Sequence, residues 1–351
     1  MRLFFEDCVR IDRKLYYICQ DYNVFCSMDI DSGEINIIDS IPEGNVRSWR
    51  LGAKIVQWRD KLFFAPMCAD KIWRYDLNRK EWKGYERKPL DNWTESKDMF
   101  QAVLYKEKIF FIGSFYPAII VLDPETEEIE YITEPYKNRI ELSKETSDCW
   151  FRTDYVLKEN LLYMASCVDN TVLCFDMDSF AYSYIRVGED ELKFSGIGWD
   201  SGYFYLSPRK DGPFIIWDGK KVVRKITADV DNEKRLAVFG GVMCLEDKVI
   251  FPATFSKNTV VLYPKDNFKT ERTDKQYLFY KRLDDETIVS LEKEGTVEIT
   301  YAGKIYSHRT EISDRILGSY MKEKMQYKGE KLAEIEHETS SSTLGLFLNM
   351  I

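Results

Sequence analysis

The chain has 351 residues, 44% hydrophobic and 15% aromatic, with a formal charge of −9. That is ample material for a core, without the low-hydrophobicity, high-charge signature of disorder. The acidic balance supplies no clustered Lys and Arg to attract a phosphate backbone, and no apolar run approaches the roughly 18 residues of a membrane-spanning helix. Nucleic acid and membrane are therefore not expected partners.

The N-terminus, "MRLFFEDCVRIDRKLYYICQ", breaks every apolar run with charge. It holds no signal-peptide core, so the expected location is cytoplasmic. The eight cysteines, at 8, 19, 26, 68, 149, 167, 174 and 244, form no C-x-x-C pair and mostly sit in apolar runs. They read as small buried hydrophobes. With His308 and His337 the only histidines, neither a Cys/His zinc site nor a histidine base is expected. The expected cofactor and metal content is none.

Taken in chain order, one unit returns. It opens with a short apolar strand, then a charged turn and a strong apolar run: "DRKLYYIC", "RDKLFFAP", "KEKIFFIG", "KENLLYMA", "DSGYFYLS", "EDKVIFPA". A third strand follows and ends on a marker, Asp29, Asp76, Asp123, Asp176, Asp218 or Pro264. A turn and a fourth strand complete the unit, as in "RYDLNRKEW" (74–82) and "VLDPETEEI" (121–129). The markers are 47, 47, 53, 42 and 46 residues apart. The runs are rich in β-branched and aromatic residues, and Asp, Asn, Gly and Pro punctuate them. An Asp at such a turn bonds nearby backbone N–H groups. Four strands every 40 to 50 residues is the period of propeller blades. Residues 277–308, with "YLFYKRL", "TIVSL", "TVEITY" and "KIYSHR", read as a seventh blade. The expected fold is all-β and seven-bladed; six blades plus a hairpin is the alternative.

After His308 the pattern changes. Ile312, Ile316 and Tyr320 recur at four-residue steps, with Leu317, Met321 and Met325 on an adjacent stripe. This predicts an amphipathic helix capped by Ser313. The expected division is a propeller over 1–308 and a helical and apolar tail over 309–351.

Six residues separate Tyr75 from Trp82 at the outer hairpin of the second unit. Met28 and Ile35, Leu122 and Ile129, and Phe175 and Tyr182 keep that spacing with other side chains. Over about residues 3–308 the chain resembles a degenerate kelch-like β-propeller. In place of the kelch Gly-Gly pair stand Ala65-Pro66, Gly113-Ser114, Ala165-Ser166 and Pro252-Ala253, and the chain's one Gly-Gly, 240–241, lies in a first strand.

In such blades the second-to-third strand loops share one face with the blade-to-blade connections. On that face the sequence places Trp49, Trp93 and Trp150 in connections, and Phe115, Tyr116, Arg209, Lys210, Phe255 and Lys257 in the loops; Arg47, Arg50 and Arg152 stand at its rim or channel mouth. Trp58, Trp73, Trp82, Trp199 and Trp217 fall within strands and are expected to pack. Binding groups concentrate on loops held by a rigid scaffold. Five connections sum to −5, which leaves room only for a local basic pocket. The longest, 133–150, has the length of a lid over the centre.

No G-x-S-x-G, P-loop or H-E-x-x-H motif is present. The expectation is a non-enzymatic binding scaffold whose loop face recognises a protein or peptide, or a small polar ligand. The alternative is a carbohydrate- or metabolite-active enzyme, a hydrolase or lyase, with carboxylates in the central channel.

Overall fold

The marker aspartates do what turn chemistry asks of them. In a computed structural model, which describes residues 1–90, 98–152, 154–210, 212–227 and 239–327, each marker carboxylate accepts two backbone N–H groups. Asp76 Oδ1 takes Asn78 and Arg79 at 3.1 and 2.8 Å. Asp29, Asp123, Asp176 and Asp218 each hold the residues two and three further on in the same way. These bonds lower the pKa of all five acids. The sixth unit has Pro264 and no carboxylate; there the Asp266 N–H bonds the Tyr263 carbonyl at 3.2 Å. The seventh turns on Ala302 and Gly303, with φ of 48° and 75°, the left-handed pair a two-residue hairpin needs.

These turns close seven four-stranded antiparallel sheets among the described residues, each with its strands side by side in chain order. The innermost strands, blade by blade, are Val9–Ile11, Gly52–Trp58, Gln101–Tyr105, Val156–Lys158, Phe194–Asp200, Met243–Cys244 and Tyr277–Asp284. Seven blades, not six and a hairpin, is the outcome. Apolar clusters fill the spaces between neighbouring sheets, such as Phe110, Met164 and Phe175 between blades 3 and 4, or Phe214, Phe251 and Leu262 between blades 5 and 6.

The ring closes without exchanging a strand. Blade 1 is built entirely from the N-terminal end of the described chain and blade 7 from residues 277–309. The joint is a short antiparallel bridge at Arg2 and Glu311, in which the Leu3 N–H bonds the Thr310 carbonyl at 2.7 Å and the Ile312 N–H bonds the Met1 carbonyl at 2.9 Å. Helix α2 (Asp314–Tyr327) follows. Ser313 caps it through the Ile316 N–H at 3.2 Å. Of the two predicted stripes, Leu317 and Met321 are buried against the core joining blades 7, 1 and 2, while Ile316 is 54% exposed. Lys324 reaches Asp39 at 2.6 Å. Of the 309–351 tail, residues 328–351 lie outside the described residues.

The 133–150 connection is no central lid. It forms a 3-10 turn (Glu134–Tyr136) and a short helix α1 (Ile140–Thr146). Tyr182 and Tyr184, on the outermost strand of blade 4, bond the carbonyls of Glu134 and Pro135 at 3.1 and 2.9 Å. The segment thus lies against the rim.

Candidate functional site

Two regions could engage another molecule: the loop face and the axis it opens onto. The predicted residues that the structure describes divide sharply by burial. Trp150 and Tyr116 are 0% and 1% exposed. Trp150 packs edge-on against Tyr136 at 5.0 Å, and its indole N–H bonds the Arg139 carbonyl. The Tyr116 hydroxyl bonds the Lys88 carbonyl at 2.6 Å. Both are enclosed in the blade walls: Trp150 fills the wedge where a connection crosses between sheets, and Tyr116 turns inward from the loop within blade 3. Trp93 lies outside the described residues.

Trp49 is different. Its ring is 43% exposed, with Arg47 exposed two residues before it and the Arg50 guanidinium 5.9 Å from the ring centroid. Arg50 also bonds Glu6 at 2.8 Å. Phe115 is half-buried beside Phe100 at 6.0 Å. Lys210 and Lys257 are exposed, and Phe255 is half-buried with Lys293 5.6 Å from its ring. Arg209 lies inside the face, locked in a bidentate pair with Asp148 at 2.8 and 2.6 Å.

The axis is the part sequence reading passed over. Asp7, two residues ahead of the first strand of blade 1, is buried. Its carboxylate accepts the Ile55 N–H of blade 2 at 3.0 Å. Lys281 from blade 7 lies 2.8 Å from the same carboxylate, and Lys54 from blade 2 lies 3.8 Å away. Asp154, two residues ahead of the first strand of blade 4, repeats the arrangement: it accepts the Val242 N–H of blade 6 at 2.7 Å. Two glycines make room for it. A Cβ on Gly196 would stand 2.8 Å from Asp154 Oδ2, and one on Gly241 2.6 Å. This gives Gly241 a physical reason unrelated to the kelch pair, while a Cβ on Gly240 would stand 2.6 Å from Thr254 Oγ1.

Burial sets the electrostatics. It lifts the Asp154 pKa to about 6, against the pull of Lys54, the Val242 N–H, Arg152 and Lys281. It also lowers Lys54. Burial would lower Lys281 too, but Asp7, with Tyr155 and Cys8, outweighs it and the net shift is upward. Lys281 still keeps 32% of its side-chain surface, and Arg152, Asp154 and Tyr155 are only half-buried. Asp7 is sealed from water, while its neighbours keep some exposure. Among the described residues, no group of three or more His, Cys, Asp or Glu is placed to hold a metal ion, and no helix is long and apolar enough to cross a membrane. His308 sits on the outermost strand of blade 7, paired with the Ile30 carbonyl at 2.8 Å, away from the axis.

No family model matches the chain, and no curated protein matches it in sequence. Solved structures do match in fold. Virginiamycin B lyase from Staphylococcus aureus superposes with a TM-score of 0.62 at 12% identity, covering 89% of this chain and 98% of that one. A streptogramin B lyase gives 0.60 at 12%, covering 87% and 92%. The WD40 repeats of RRP9 give 0.58 at 11%, covering 83% and 87%. At such identities the likeness establishes the propeller and nothing finer; the similar structures are lyases and WD40 repeats rather than kelch proteins in particular.

Proposed function

We propose that the chain is a non-enzymatic binding scaffold whose loop face takes a protein or peptide, anchored at Trp49. The observation behind this reading is an exposed indole on a rigid connection, flanked by two arginines. Leaving that much apolar ring in water is unfavourable, and Trp and Arg are the residue types that dominate binding hot spots. Propellers similar to this one include WD40 repeats, which fits the reading without deciding it.

The enzymatic alternative draws on the likeness to two lyases. It has less support in the side chains. Asp7 is taken up by two lysines and a backbone N–H, so it is not a free general base. Asp7 and Asp154 are each held by a backbone N–H, rather than poised as a bare pair.

The test is a comparison of the intact chain with Trp49→Ala. Cross-linking of bound proteins identifies a partner and the contacting residues, and titration of that purified partner gives the affinity. Loss of about thirtyfold, the size of a hot-spot truncation, is expected, with cross-links on the loop face. Unchanged affinity, or cross-links confined to the opposite face, would overturn the proposal.

A further inference from the structure

The seven blades are not joined alike. Apolar clusters close the spaces between blades 2 and 3, 3 and 4, 4 and 5, and 5 and 6, and one shared cluster joins blades 7, 1 and 2. Among the described residues no such cluster lies between blades 6 and 7. The strand period explains the difference, since alternate side chains face opposite sides of a sheet. In blade 6, Val249, Phe251, Val260 and Leu262 face blade 5. In blade 7, Val289, Leu291, Val297 and Ile299 face blade 1. Blade 6 therefore turns Ile250, Val261 and Tyr263 toward blade 7, and blade 7 presents Ile288, Ser290, Glu298 and Thr300 in return. Ser290 stands opposite Glu298, and Thr300 stands between Ile288 and Ile305 across the ladder. Ile305 is left 74% exposed. Glu298 remains partly exposed beside Lys275, 3.4 Å away, which also holds Glu292 at 2.7 Å.

What holds this seam lies at its loop-face end. The Tyr277 N–H bonds the Ala253 carbonyl at 2.8 Å, and the Gln276 amide bonds the Ser256 carbonyl at 2.6 Å. The Lys293 ammonium sits 5.6 Å from the Phe255 ring. Hydrogen bonds of this kind exchange for bonds to water and contribute little net, whereas apolar faces removed from water resist separation. The axis divides along the same line. Asp7 ties blades 7, 1 and 2 together through Lys281 and the Ile55 N–H, while Asp154 ties the entry of blade 4 to blade 6 through the Val242 N–H. We infer that the ring opens at the seam between blades 6 and 7. Blade 7 stays with blades 1 and 2 and parts from blade 6, and the connection 274–276 tethers the two edges so that the ring recloses. The joint where the first and last blades meet is sealed by a core, and the seam that the chain crosses covalently is the loose one. Opening uncovers Ile250, Val261 and Ile288 next to the already exposed Ile305. This motion stands whether or not a protein docks at Trp49.

Equivalent backbone hydrogen bonds report the seams one by one. The Met99 N–H bonds the Pro66 carbonyl across blades 2 and 3, Trp150 bonds Ser114 across blades 3 and 4, and Phe194 bonds Ser166 across blades 4 and 5. Leu3 bonds Thr310 across the joint, and Tyr277 bonds Ala253 across blades 6 and 7; all five lie between 2.7 and 2.9 Å. Hydrogen exchange of the intact chain, resolved to single amides and corrected for intrinsic rates, measures the opening at each. Tyr277 is expected to exchange fastest of the five, by about tenfold. A Tyr277 amide no faster than Met99, Trp150 or Phe194, or slower than Leu3, would overturn the inference. The double variant Glu298→Leu, Thr300→Val lays apolar surface on the blade 7 side of the seam. It is expected to slow Tyr277 about tenfold and leave Trp150 unchanged. An unchanged or faster Tyr277 rate, in a variant whose Trp150 amide keeps its wild-type protection, would count against the seam as the place of opening.

Discussion

Single residues on this scaffold sort by what surrounds them, and Trp150 and Trp49 show how far that departs from their sequence setting. Both precede an innermost strand by a few positions. Trp150 is wrapped by Tyr136, Phe151 and the Arg139 carbonyl; Trp150→Ala should therefore cost about 3–5 kcal/mol, the range for a large buried aromatic. Chemical denaturation measures this, and a near-neutral result would move Trp150 back to the surface. Asp154 offers a pH test. Its folded pKa, about 6, lies above the model-compound value of 3.8 because burial penalises the anion. A raised folded pKa means that the wild type loses stability as pH rises through about 6, and keeps it in full below about 4. Asp154→Asn removes that penalty while its side-chain oxygen still accepts the Val242 N–H. Lys54, Arg152, Lys281 and Cys244 face the group and stay unchanged. The gain in melting temperature of the variant over wild type should be small at pH 4 and grow to a plateau above pH 7. Its ceiling is about 3 kcal/mol by linkage. A gain that shrinks with rising pH would reverse the sign and refute the assignment.

At the scale of an element, the unit is the blade and its outer hairpin. Tyr75 and Trp82 are cross-strand partners in blade 2, with ring centroids 4.9 Å apart. Trp82 also meets Phe25 of blade 1 at 5.8 Å and bonds Asp39 at 3.1 Å. The pair thus fastens neighbouring sheets at the rim. Its spacing was readable because a hairpin fixes which residues face each other. The same logic made the marker aspartates legible, since a carboxylate and the two N–H groups that follow it make a local motif that needs no distant partner. Helix α2 was legible in its period and its cap. Which stripe faces inward was not, because Ile316 and Leu317 are equally apolar and only the position of the rim distinguishes them.

For the molecule as a whole, closure is the distinctive feature. A ring that exchanges no strand relies on the Arg2–Glu311 bridge and on α2 packed over the joint between its first and last blades. Ending the chain at Arg309 removes the bridge partner, the cap and the buried Leu317 and Met321 together. Such a truncation should melt at a clearly lower temperature than the full chain, with hydrogen exchange rising first in blades 1 and 7. Uniform exchange across the blades, or an unchanged melting temperature, would show that the joint is not what holds the wheel shut.

The sequence by itself determined the blade repeat, the order of strands within it and the chemistry of the turns, because each is written in contacts only a few residues apart and repeated along the chain; the choice of seven blades over six came from the structure. It also marked Trp49 as a candidate. Only the tertiary structure decided that Trp150 and Tyr116 are walls, that the long connection lies against the rim, and that Asp7, Lys54, Asp154 and Lys281 meet on one axis. Those four come from different blades, and the extremes of the group, Asp7 and Lys281, stand 274 residues apart, so no local pattern connects them. Their meeting is a property of ring closure, and the electrostatics that make them interesting arise only from the burial that closure imposes.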